Sequence, residues 1–132
     1  MDGEQWMVKW TMSKSYRDLL VWQKGIALVK EIYILTRDFP KQEIYSLANQ
    51  VQRAAVSIPS NIAEGQARQH TTEFRQFLYI ALGSLAEVDT QLEVALQLSY
   101  LDQNQIVKAN DLVLELRKML YGLINNLPKS KK

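Results

Sequence analysis

The chain contains no cysteine. That excludes a disulfide framework and thiolate metal sites, and it suits a reducing, cytoplasmic setting. Histidine occurs once, as His70 beside an expected helix start, where a solvated loop histidine is the simplest reading. The motifs His-Glu-x-x-His and Glu-x-x-His are both missing, which removes the zinc-protease and di-iron bundle patterns. Gly-x-Ser-x-Gly and phosphate-binding glycine loops are also missing. Glu87, Asp89 and Glu93 scatter around their helix, so no paired-carboxylate site is expected there. The expectation is a protein with no catalytic residues, no metal and no cofactor. No apolar run approaches the roughly 20 residues that span a bilayer, so no membrane partner is expected. The opening MDGEQWMVKWTMSKS has acids near its start and no apolar core run, unlike a secretory signal.

What is present is an ordinary globular composition. The chain has 132 residues, 47% of them hydrophobic and 23% charged, which fits one domain with a sizeable core. The net charge is +2, and Lys129, Lys131 and Lys132 carry enough of it that the remainder stands at −1. The basic character therefore belongs to the tail and not to a domain face of the kind nucleic-acid binders show. The expected division is an N-terminal arm over 1–15 carrying Trp6 and Trp10, a helical domain over 16–128, and a basic tail over 129–132.

Four segments have helical periodicity. The first runs from about Asp18 to Asp38, with Leu19, Trp22, Ile26, Val29 and Tyr33 at steps of three and four. Asp18 is its candidate N-cap, and Phe39-Pro40 ends it. The second runs from about Glu43 to Gln66 on Ile44, Leu47, Ala48, Val51, Ala54, Ala55, Ile58 and Ile62, with Gly65 near its stop. The third starts near Thr71 or Thr72, either a candidate cap, with Glu73 in the first turn. Its seam of Phe74, Leu78, Ala81, Leu85, Val88, Leu92 and Ala95 suits shallow-angle packing. The fourth follows Asp102, which with Gln105 resembles a capping box, and places Ile106, Ala109, Val113, Leu116, Leu120, Leu123 and Leu127 on one face before Pro128. With no convincing strand and only short connections, the pattern predicts an all-α, antiparallel up-down-up-down four-helix bundle.

The second segment carries one stripe more than a core helix needs. At roughly 100° per residue, Gln50, Arg53, Ser57, Asn61 and Glu64 fall within about 80°, beside the apolar face and not opposite it. Pro59 lies inside this helix, where it removes the hydrogen bond to the Ala55 carbonyl and predicts a kink. On the third helix Ser84, Glu87 and Gln91 flank the seam in the same way, and Gly83 suggests a close backbone approach. Three readings of these residues stand side by side: a solvated face, a subunit interface or inter-helix network, and a ligand or catalytic site. Four basic residues are candidates for phosphate contact, Arg68 and Arg75 around the turn between the second and third helices and Arg117 and Lys118 on the fourth.

One set of residues carries a resemblance. It comprises YRDLLVWQ over Tyr16–Gln23, Phe39-Pro40, Glu43 with Tyr45 and Leu47, Gln50, and Arg53-Ala54-Ala55. It continues through Ser57-Ile58-Pro59, NIAEG over Asn61–Gly65, Glu73-Phe74, Phe77-Leu78, Ala81, Gly83-Ser84 and Glu87. In these, over about residues 16–127, the chain resembles the four-helix-bundle family named for proteins encoded in intervening sequences of 23S ribosomal RNA genes. The resemblance implies an antiparallel bundle assembled into a ring, most often a homopentamer, and a loose association with RNA or DNA. It carries no enzymatic activity with it. The chain is also similar to the accessory variability proteins of diversity-generating retroelements, which implies a reverse transcriptase or another nucleic-acid enzyme as an alternative partner. Those proteins are basic, whereas the helical body here is nearly neutral.

Overall fold

The computed structural model describes residues 15–129. The expectations for an N-terminal arm and for the end of the basic tail fall, apart from Ser15 and Lys129, outside the described residues. Four α-helices account for most of the chain: α1 (Leu20–Thr36), α2 (Leu47–Ala67), α3 (Thr71–Gln97) and α4 (Gln103–Asn126). Short 3-10 turns at Tyr16–Asp18 and Lys41–Glu43 precede α1 and α2. Among the described residues there is no strand.

Contacts between named residues fix the direction of each neighbouring pair. Gly25 meets Pro59 and Thr36 meets Gln52, so α1 and α2 run antiparallel. Ser57 meets Ser84 and Gly65 meets Phe77, so α2 and α3 do the same. Arg75 reaches Leu127 while Asp89 reaches Arg117, which sets α3 against α4. Lys24 pairs with Glu115 and Glu31 with Lys108, which closes α4 back onto α1. The four helices thus pack as a square in chain order, the up-down-up-down bundle that the short connections predict.

The core follows the two long seams closely. Every apolar position read for α3 and α4 is buried, from Phe74 to Ala95 and from Ile106 to Leu127. Each fully buried Leu, Ile or Phe contributes roughly 1.5–3 kcal/mol of transfer free energy. Asp102 and Gln105 form the expected capping box, each side chain accepting from the other's backbone N–H at 2.9 Å. Gln105 also donates to Asp38, tying the start of α4 to the end of α1.

Several local expectations are corrected. The inward stripe of α1 is Val21, Gly25, Leu28, Ile32 and Leu35, while Ile26 and Tyr33 are exposed. Ile44 is exposed, because α2 begins at Leu47 after the 3-10 turn. Asp18 lies inside the first 3-10 turn, which Ser15 caps by accepting from Arg17 N–H, and the N-cap of α1 is Leu19. The N-cap of α3 is His70, not Thr71 or Thr72. Glu73 does occupy the first turn, as expected.

The close backbone approach expected at Gly83 is found at Gly65 instead. Gly65 lies near the stop of α2, as expected, two residues before Ala67, but it is also buried, and an added Cβ there would lie 2.6 Å from Phe77 Cβ. Gly83 is exposed, with nothing within 4 Å of such a Cβ. The left-handed backbone that ends α2 belongs to Gln69, at φ 60°. At the end of α3 it belongs to Ser99, at φ 61°. There Ser99 N–H donates to Leu96 O and Tyr100 N–H to Ala95 O, a complete Schellman closure without glycine. Pro59 is buried, and α2 continues through it as one helix.

Candidate functional site

The two polar stripes meet in one groove. Ser57 and Ser84 hydroxyls share a 2.9 Å hydrogen bond between α2 and α3. Asn61 Nδ2 donates to Ser57 Oγ at 2.9 Å and to Ser57 O at 2.8 Å. Ser84 is buried, and Ser57 and Asn61 are half-buried. Asn61 thus occupies a backbone carbonyl one turn back while bracing the serine pair.

Toward the N-terminal end of α2 this pair opens into a groove of about 550 Å³. Gln50, Arg53 and Ser57 line the α2 wall; Ser84, Glu87 and Gln91 line the α3 wall. Tyr45, in the segment leading into α2, stands at the rim and is 89% exposed. Neither Arg53 nor Glu87 has an ion-pair partner among the described residues. Gln91 Oε1 is buried with no hydrogen-bond partner among the described residues. An amide oxygen without a donor is costly in a folded protein, by about 1–3 kcal/mol. The groove therefore presents one cation and one anion along with neutral amides, while the unpartnered Gln91 oxygen is buried.

Five of the seven residues expected in the polar stripe line this groove: Gln50, Arg53, Ser57, Ser84 and Glu87. Asn61 joins it through Ser57, and Glu64 is exposed further along α2. Periodicity does not mark Tyr45 as a site residue, because an aromatic just ahead of a helix carries no periodic signal. Nearby, Glu43 accepts the Tyr100 hydroxyl at 2.7 Å and the Leu47 N–H at 3.5 Å, so one carboxylate joins the start of α2 to the end of α3. That hydrogen bond, then desolvation and the Glu43 charge, raise the Tyr100 pKa above the ordinary tyrosine value.

The four basic candidates do not form one surface. Arg75 donates to Leu127 O at 3.1 Å and Pro128 O at 3.3 Å, closing the end of α4. Arg117 pairs with Asp89 at 3.2 Å, about 21 Å further along α3 at 1.5 Å per residue. The Arg68 guanidinium lies over the Phe77 ring at 5.4 Å, and Lys118 is exposed. Among the described residues no group of three or more His, Asp or Glu side chains is placed to hold a metal ion. No helix among them is long and apolar enough to cross a membrane.

The fold and the groove together define an antiparallel four-helix-bundle protein whose polar surface is organised between its second and third helices. The model of the 23S rRNA-intervening sequence protein family matches residues 17–122, and the chain belongs to that family. A crystal structure from Bacteroides thetaiotaomicron, of a protein with unknown function from the S23 ribosomal protein family, is similar to it at 26% identity and a TM-score of 0.73. The match covers 80% of this chain and 98% of that one. No curated protein matches the chain.

Proposed function

We propose that the protein is a non-enzymatic, cytoplasmic subunit of a homo-oligomer that holds RNA or DNA weakly, with the α2–α3 groove as its subunit contact. The observation that carries this reading is the groove's charge arrangement. Arg53 on one wall and Glu87 on the other are both without an ion-pair partner among the described residues. A surface holding both signs is complementary to a second copy of itself, and interfaces favour Arg over Lys. Family membership supports a ring, with five subunits as the expected number. In such a ring a modest cationic patch recurs by symmetry, so weak phosphate contacts gain by avidity.

Light scattering of the wild type and an Arg53→Glu variant tests the assembly. The wild type is expected as an oligomer and the variant as smaller species. A monomeric wild type at micromolar concentration defeats the ring. A variant that assembles like the wild type removes the groove from the interface. Titration with labelled RNA and DNA across a salt series tests the second part. Binding that weakens linearly in log–log salt supports it, and no binding even at low salt sinks it.

A second reading makes the principal partner a protein, such as a reverse transcriptase, with nucleic acid incidental. The engagement of Arg75 and Arg117 within the bundle supports it, since two of the four cationic candidates are already committed.

A further inference from the structure

A ring of more than two copies cannot join one face to itself, because such a contact is complete at two. With the α2–α3 groove as one contact, the next copy must present a different face. Adjacent faces of a square bundle are turned from one another by about 90°, and opposite faces by about 180°. Rings of four or five copies need about 90–110° between their two contact faces, whereas opposite faces build an open filament. The second face therefore lies beside the groove, on α1 and α2 or on α3 and α4.

The α1–α2 face carries an apolar stripe that the core does not use. Trp22, Ile26, Val29 and Tyr33 recur at steps of four, three and four, within about 60° of one another at 100° per residue. Ile26 is 44% exposed and Tyr33 is 45% exposed. The stripe adjoins the flank on which Gly25 and Thr36 meet α2, so it borders that helix. Lys30, between Ile26 and Tyr33, is exposed and has no ion-pair partner among the described residues. The one acid of α1, Glu31, turns to Lys108 of α4, and the one acid of α2, Glu64, belongs to the polar stripe of the groove side. The face is thus apolar with a cationic edge. On the α3–α4 face, Asp89 and Glu93 line a cleft beside Leu114, and Arg117 is already paired with Asp89. Glu87 in the groove is repelled by those acids and attracted by Lys30.

Contacts within one copy also match the heights of the two faces. Ser57 lies level with Ser84 and Gly25 with Pro59. Counting from those pairs at 1.5 Å per residue, Glu87 stands at the height of Lys30, and Arg53 between Val29 and Tyr33. Ile80, one heptad from Glu87 on the same edge of α3 and 51% exposed, stands between Trp22 and Ile26. Rotation about an axis parallel to the helices leaves these heights unchanged in the neighbouring copy.

On the reading of the groove as a subunit contact, we propose that the Trp22–Ile26–Val29–Tyr33 stripe of one copy docks into the α2–α3 groove of the next, with Lys30 against Glu87. Ile80 then covers the Trp22–Ile26 end, and the Arg53 guanidinium meets the Tyr33 ring, a pairing that aromatic faces favour. Because α2 borders both faces, its outer edge, with Asn49 and Ser60, turns toward the ring axis.

In the full chain, Ile26→Asp with Tyr33→Asp should fall from the wild-type mass to the monomer in light scattering, with helical circular dichroism unchanged. Leu114→Asp with Tyr121→Asp, on the α3–α4 face, should keep the wild-type mass. The stripe variant retains its groove and Arg53→Glu retains its stripe, so mixing the two should give a species of twice the monomer mass that grows no further. Charge exchange serves if the aspartate variant fails to fold: Lys30→Glu and Glu87→Lys should each lower the mass at a given concentration, and the double variant should restore it. A stripe variant that assembles like the wild type overturns the proposal, and the groove reading survives it if Arg53→Glu still dissociates. A mixture that stays monomeric overturns it, as does a double exchange without recovery. Assembly lost only in the α3–α4 variant assigns the second contact there and overturns it equally. A monomeric wild type defeats the ring and this contact with it.

Discussion

Gly65 and Phe77 stand so close that a methyl group on the glycine would lie 2.6 Å from Phe77 Cβ and 3.1 Å from Phe74 Cδ1. The nearer atom is a Cβ, which no rotamer change moves, so relief requires the helix axes to separate. Overpacking of this kind costs about 1–3 kcal/mol, and the better helix propensity of alanine offsets about 1 kcal/mol. Gly65→Ala is therefore expected to lower unfolding free energy by up to about 2 kcal/mol in urea titrations. Stability equal to or above wild type would refute the close approach.

Gly83 is the opposite case. It lies in the interior of α3, faces open space, and has no left-handed φ to protect. Gly83→Ala should raise stability by about 0.5–1 kcal/mol through reduced backbone freedom in the unfolded chain. Thermal unfolding in parallel with Gly65→Ala checks the contrast, since the same chemical change is expected to act with opposite sign.

Ser99 closes α3 from the left-handed region, where a Cβ is strained by roughly 1–2 kcal/mol. Glycine removes that strain and adds some unfolded-state entropy. Ser99→Gly should stabilise by up to about 1 kcal/mol. A destabilised variant would mean that the serine side chain contributes more to the turn than its backbone costs.

Tyr100 gives the bundle a dependence on alkaline pH. Its raised pKa, set first by the hydrogen bond to Glu43, means the folded state holds the phenolic proton more tightly than the unfolded chain does. The stabilisation is fully present below the unfolded-state value of about 10 and is lost as pH rises through the folded-state value. Stability should therefore fall above about pH 10, and Tyr100→Phe should remove this part of the decline. Ultraviolet titration of tyrosinate in the two proteins checks the assignment: the component missing from the variant should titrate above the ordinary range.

These effects bear on what a sequence can reveal. The seams of α3 and α4 are legible because each helix has one apolar stripe and the residues beside it are polar. On α1 two stripes interleave at the same spacing, Trp22–Ile26–Val29–Tyr33 and Val21–Gly25–Leu28–Ile32–Leu35. Periodicity announces a helix in either case and is silent on which stripe turns inward. The inward one is weakened on paper by Gly25, whose small size matters only because Pro59 lies against it, 3.3 Å from where a Cβ would sit. The same ambiguity assigns the close approach to Gly83 and not to Gly65, since a glycine's neighbour is a property of register between helices. Legible in the groove was the position of each polar stripe beside its seam. The Ser57–Ser84 contact and the place of Tyr45 at the rim depend on how α2 slides along α3, which no single helix encodes.

The square order of the helices has a kinetic side. Ser57 and Ser84 are 27 positions apart along the chain, and the α1–α2 contact of Gln52 with Thr36 spans 16. The α4–α1 seam instead joins Lys24 to Glu115, roughly 90 positions away, which by loop-closure scaling costs the chain about 1 kcal/mol more than the α2–α3 contact. Its two ion pairs each leave at least one partner open to water, where such pairs are worth about 0–1 kcal/mol. The seam that completes the ring of helices is thus the one that demands most conformational freedom from the chain, and its charges offset little of that demand.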